Sequence, residues 1–152
     1  MYYSTIKCDK ERNSRIASSS ESILLQDRLA GKHAYNIAIL SNAKELGHFS
    51  SHLVNAITTL EDLIDLFRGE DFTGKKTTIP IAFLADEFGQ VVEDYNIIKK
   101  SLSVKRTKEY INNKINCSRE ILSKHTSKDK SLLLRIIENL DNFNREFPEE
   151  YL

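Results

Sequence analysis

Apolar residues recur every three or four positions along most of this chain of 152 residues, the spacing that lines one face of an α-helix. The first run takes in Ile23, Leu24, Leu25, Leu29, Ala30, Ala34, Ile37, Ala38, Leu40 and Ala43 and ends at Leu46 and Gly47. It opens behind Ser18 and Glu21, which have the spacing of a capping box. Gly31 either divides this run into two helices or is absorbed within one at a cost of about 1 kcal/mol against alanine. A second run, Phe49, Leu53, Ala56, Ile57, Leu60, Leu63, Ile64 and Phe67, predicts a helix that Gly69 stops.

Residues 69–79 are loop by composition. Pro80 then suits the first turn of a helix, where its missing N–H is not needed. Behind it Ile81, Leu84, Phe88, Val91, Tyr95, Ile98 and Leu102 form a heptad seam, read as one bundle helix whose stripe neighbouring helices cover. A polar patch at Ser101–Ser103 bends or breaks the chain. Val104, Ile111, Ile115, Ser118, Ile121 and Leu122 carry a further helix to about Lys124. The last helix is capped by Ser127, holds Leu133, Ile136, Ile137, Leu140, Phe143 and Phe147, and is ended by Pro148. Ahead of all this, residues 1–18 read as an extended and polar segment. The expected fold is all-α: an up-and-down bundle of about four to five helices over residues 19–152, packed as a single domain.

Composition agrees with that pattern. Five glycines and two prolines are too few for the turns of an all-β fold. Lysine plus arginine and aspartate plus glutamate are 22 each, so net charge gives no steer toward nucleic acid. The densest basic run, Lys99, Lys100, Lys105, Arg106, Lys108 and Lys114, followed by Lys124, Lys128 and Lys130, reads first as a solvated helix face and second as a phosphate-contacting one. Cys8 and Cys117 match no metal or redox spacing, which points to two reduced thiols, with a disulfide between them as the alternative. No secretory leader is evident in MYYSTIKCDKER and no stretch nears a membrane span, so a cytoplasmic location is expected.

Candidate chemistry is sparse. Gly69, Gly74 and Lys75 approach a phosphate-binding loop, but Lys76 stands where Ser or Thr would hold magnesium, and a helix rather than a strand precedes it; the motif is rejected. His48 and His52 lie four apart and can face one metal ion, yet a bundle site needs carboxylates or further histidines from facing helices. No cofactor is implied. Tyr110, among Arg106, Lys108 and Lys114, is the nearest approach to an aromatic-and-basic surface for single-stranded nucleic acid, against the plainer reading of a tyrosine packed on the bundle.

The segment Ala34-Tyr35-Asn36-Ile37-Ala38 through Ala43-Lys44-Glu45-Leu46, then Gly47, His48-Phe49 and on to Ala56 and Leu60-Glu61, resembles the first two helices of the HEPN superfamily. The loop and Pro80–Phe88 stand where that family places its third helix. SVKRTKEYINNKINCSREIL is similar to a later segment carrying an arginine and then a tyrosine, here Arg106 and Tyr110. The resemblance covers about residues 32–145.

It implies a helical protein of a bacterial toxin–antitoxin or phage-defence system, with RNA as substrate or with a non-catalytic role. Active members of that family are metal-independent ribonucleases in which an arginine, followed after about four to six residues by a histidine, assists cleavage by the ribose 2′-hydroxyl, and two such sites meet across a dimer. Arg106 lacks the histidine, and Tyr110 near its place is a poor base at neutral pH. Arg28 to His33 and Arg119 to His125 fit the spacing, but with eight arginines and four histidines about one accidental match is expected. Arg119 with His125 is the better placed of the two.

Two rivals stand beside this reading. One is an interaction subunit without enzymatic activity, whose heptad face binds a partner helix in a homodimer or larger complex. The other is a carboxylate–histidine metalloprotein around His48 and His52.

Overall fold

The computed structural model describes residues 20–73, 77–125 and 130–147, with side chains from Leu29 onward. These residues form seven α-helices and no strand: α1 (Ser20–Leu40), α2 (Gly47–Arg68), α3 (Glu70–Thr73), α4 (Ile79–Phe88), α5 (Tyr95–Lys100), α6 (Leu102–Lys124) and α7 (Ser131–Glu146), with a 3-10 turn at Lys44–Leu46 between α1 and α2. The fold is all-α, as the periodicity predicts. No described helix is long and apolar enough to cross a membrane. The extended segment 1–18, the Ser18–Glu21 capping box, Gly74, Lys75, Lys76, Ser127, Pro148, Cys8 and the Arg28 side chain lie outside the described residues.

The helix count exceeds the expected four to five for two physical reasons. Glu70–Thr73 coils within the stretch read as loop. The heptad seam from Pro80 to Leu102 is not one helix. Gly89 adopts a left-handed φ of 68° and ends α4, a conformation that costs a glycine little. The chain resumes only at Asp94, whose carboxylate accepts hydrogen bonds from the Asn96 and Ile97 amides and caps α5. A second break follows at Ser101, whose extended backbone separates α5 from α6. Of the seam residues, Ile81, Leu84 and Ile98 are buried, whereas Phe88, Tyr95 and Leu102 are exposed. Local capping outweighs a heptad pattern that no continuous hydrogen-bond ladder supports.

The first turn of the chain also departs from expectation. α1 runs unbroken through Gly31 and stops at Leu40, six residues before the expected end at Leu46. Asn42, at φ 58°, supplies the left-handed residue. The Ala43 amide donates to Ala38 O at 2.8 Å and the Asn42 amide to Ile39 O at 3.1 Å, which is the paired pattern of a Schellman cap. Gly47 is no stop. It opens α2 in right-handed helical conformation, and it is glycine because a Cβ there would lie 2.7 Å from the Tyr35 ring. Gly31 meets the same constraint, since its Cβ would come within 2.6 Å of both Asn55 Oδ1 and Ser51 Oγ. The two glycines allow backbone to sit against side chains of the neighbouring helix.

The described chain forms two compact units. The first gathers residues 20–26 and Glu61–Thr107; the second gathers Asp27–Leu60 and the described residues from Lys108 onward. In the first unit Leu63, Leu66, Ile81, Leu84 and Ile98 are fully buried, each contributing on the order of 2–3 kcal/mol of hydrophobic stabilisation. The second is centred on Ala56, Ile111, Ile115, Leu122 and Ile137. Every one of these stands at a helical-period position named from sequence except Leu66.

Candidate functional site

Polar chemistry concentrates in the second unit, along facing parts of α2 and α6. His48, His52 and Asn55 follow one another at helical spacing on α2, so they share a face. Ser51 and Asn55 lie against Gly31 of α1, and the His48 ring packs on Tyr35 with centroids 4.9 Å apart. Beyond the end of α6, His125 Nε2 pairs with Glu45 Oε2 at 3.1 Å.

Lys114 of α6 acts on His52 through its charge. The His52 pKa is held below the ordinary histidine value by burial first, then by the Lys114 charge, then by His48. The neutral imidazole is therefore favoured. Its Nδ1 is buried without a hydrogen-bond partner, as are Asn55 Oδ1 and Ser118 Oγ. Such atoms are uncommon in folded proteins and each calls for a cause.

Arg119 and His125 each have their own carboxylate. Arg119 donates to Asn116 Oδ1 at 2.8 Å and to Asp141 Oδ2 of α7 at 2.9 Å. His125, its side chain 15% exposed, faces Glu45 instead. Glu45, Ile121, Lys124 and His125 line an open pocket of about 380 Å³, with Lys124 held by Glu120 at 2.6 Å. Arg106 stacks on Phe83 with its guanidinium carbon 4.2 Å from the ring centroid and pairs with Asp86 at 2.9 Å. Tyr110 lies under the Lys114 ammonium, 5.0 Å from its ring centroid.

Two lysines of the basic run are committed to helix ends. Lys108 Nζ donates to the carbonyls of Arg145 and Phe147, and Lys130 Nζ to those of Leu122 and Ser123, where a cation also meets the negative end of the helix dipole. Among the described residues no three His, Cys, Asp or Glu side chains gather to hold a metal ion.

Sequence reading marked His48, His52 and Lys114 separately and gave Asn55, Glu45 and Asp141 no role. The signal available was the i, i+4, i+7 spacing of His48, His52 and Asn55 on the edge of an apolar stripe. Nothing local in sequence pairs α2 with α6. No known protein family, curated protein or solved structure matches the chain.

Proposed function

We propose that this chain is a non-catalytic helical interaction subunit, and, from the resemblance of residues 32–145, a HEPN-like member of a bacterial toxin–antitoxin or phage-defence complex in the cytoplasm. One observation carries the interaction reading. The outer face of α1 bears Leu40 at 84% exposure and Ile37 at 64%, with exposed Leu29 further back along the same face. Large apolar side chains in a stripe on a regular helix mark a protein-binding surface, and an amphipathic partner helix is the simplest complement. Leu132 on α7, 68% exposed, extends the same argument to a second helix of the unit.

A second reading, metal-independent ribonuclease, is favoured by the pocket at His125. A histidine oriented by a carboxylate is suited to proton transfer, and Lys124 in the same pocket supplies a cation for phosphate. One experiment separates the two. The purified chain, and Ile37→Glu with Leu40→Glu, are analysed by light scattering and by pull-down from the native host, with RNA degradation in EDTA followed on the same samples. The interaction reading expects a defined stoichiometric association that the charged variant loses without loss of helicity, and intact RNA. It fails if association is absent or indifferent to the two glutamates. RNA cleavage abolished by His125→Ala or Arg119→Ala, at unchanged helicity, would establish the enzyme instead.

A further inference from the structure

We infer that α1 pairs with α1 of a second copy of this chain, antiparallel and in one register, so that Leu29 of each copy packs on Leu40 of the other. The pairing rests on the α1 stripe being a protein-binding surface, as proposed above, and names the partner that covers it.

The stripe reads the same from either end. Leu29, His33, Asn36 and Leu40 follow one another by steps of four, three and four, the spacing of a coiled-coil seam. At about 100° per residue they fall within about 60° of one another around the helix. All four are exposed, while Gly31 and Ala38 on the opposite side are buried. The ends of the seam are apolar and its centre is polar. A twofold axis level with the midpoint between Ala34 and Tyr35 places Leu29 opposite the second copy's Leu40, and His33 opposite its Asn36. Imidazole and carboxamide each carry a donor and an acceptor, so both central layers close with hydrogen bonds. Self-complementarity of this kind is what a twofold interface between identical chains requires. The polar pair also fixes the register, because a slip of one heptad sets His33 against Leu29 or Asn36 against Leu40.

The flanks and the area agree with this. Ala30 and Ile37 lie along one edge of the seam, where Ile37 of each copy covers Ala30 of the other. Lys32 stands exposed on the opposite edge, and its stem is long enough to keep the ammonium in water. Leu29, Ile37 and Leu40 are 47%, 64% and 84% exposed, so three large apolar side chains per copy leave water on pairing. With His33 and Asn36 the two copies hide on the order of 1,000 Å², the lower limit for a specific interface. The dimer is therefore one that forms with concentration. A partner helix of another sequence accounts for the apolar residues alone, whereas a second copy also accounts for the polar pair between them.

Sedimentation equilibrium of the full chain over a dilution series tests the dimer, and disulfide trapping tests its register. A monomer–dimer equilibrium is expected, weakened about a hundredfold at unchanged helicity by Leu40→Glu, which sets a carboxylate against Leu29. For trapping, Leu29→Cys and Leu40→Cys are made separately in a Cys8→Ser, Cys117→Ser background and oxidised alone and mixed. Covalent dimer is expected in the mixture and far less in either protein alone, because only positions 29 and 40 come within reach of a disulfide. The inference is overturned if the chain is monomeric at every concentration, or if Leu40→Glu dimerises as the parent does. It is equally overturned if either cysteine variant alone crosslinks as fast as the mixture, the mark of a parallel or slipped pair. A monomer whose capture of a host protein is lost on Leu40→Glu excludes the second copy and keeps α1 as a binding surface. If Leu40→Glu changes neither self-association nor capture, both fall.

Discussion

The two compact units treat their buried polar side chains differently. In the first, the Thr78 hydroxyl donates to Asp71 Oδ2 at 2.9 Å and the Ser101 hydroxyl to Ile98 O at 2.7 Å. Ser103 bonds Ser101 at 2.6 Å, and Thr107 donates to Ser103 O at 2.8 Å. The first three hold a turn or a helix start, and the fourth is a back-bond within α6. In the second unit Thr59 and the Asn144 amide nitrogen find partners, but His52 Nδ1, Asn55 Oδ1, Ser118 Oγ and Asn144 Oδ1 do not. An orphaned buried polar atom costs about 1–3 kcal/mol. Among the described residues the first unit holds one such atom, Asp71 Oδ1, and the second holds four, so the difference between the units is one of degree.

The largest effect that can break this comparison lies in the first unit. Glu87 of α4 accepts the Leu102 amide at 3.0 Å and the Ser103 amide at 2.8 Å, so one carboxylate satisfies two of the unpaired N–H groups at the start of α6 and sits at the positive end of its dipole. Glu87→Ala is expected to destabilise the protein by about 2 kcal/mol, at the upper end for a lost helix cap, measured by urea unfolding. A loss below about 0.5 kcal/mol, the range of ordinary surface changes, would mean that the polar bonds of this unit are incidental.

How much of this was legible in the sequence divides along the same line. Helix existence was plain wherever apolar positions kept their period over several turns, as at Phe49–Phe67 and Val104–Leu122, because burial of one stripe is a one-dimensional property. Breaks were harder. The seam from Ile81 to Leu102 keeps its period straight through a loop, and what interrupts it is Gly89 in a left-handed conformation with Asp94 capping the next turn. Both residue types signal turns, but a heptad reading absorbs them. The end of α1 was misplaced for a related reason: Asn42 took the left-handed position, while Gly47 was required by the nearby Tyr35 ring. The site was least legible. His48, His52 and Asn55 share a face by spacing alone, yet their relation to Lys114 and Ser118 depends on the packing of two helices that three others separate along the chain, which one sequence does not contain.

A smaller effect sharpens the contrast through pH. His52 is the buried-edge histidine whose folded pKa is lowered, by burial and then by Lys114 and His48. Its unfolded value is ordinary, about 6.5. Above that value the imidazole is neutral in both states and pH has no leverage through it. As pH falls through 6.5 the unfolded chain takes up the proton first, so stability declines until the folded pKa is passed and then levels off. His52→Gln should remove that part of the acid loss while leaving stability near pH 8 little changed, as read from thermal unfolding across pH. An acid profile identical to the parent's would show that the His52 environment is more solvated than its burial indicates.

The smallest expected change is the most discriminating, because its sign differs between the units. Ser118 and Thr107 both stand on α6, both fully buried. The Thr107 hydroxyl is bonded to Ser103 O at 2.8 Å, and Thr107→Val, which keeps the shape, should cost about 1 kcal/mol. The Ser118 hydroxyl has no partner, so Ser118→Ala removes an unsatisfied polar atom at the expense of a very small void. The two terms nearly cancel, and the net change should lie within about 0.5 kcal/mol of zero or on the stabilising side. If Ser118→Ala instead costs as much as Thr107→Val, the hydroxyl has a bound water as its partner, and one of the four orphaned atoms of the second unit is accounted for.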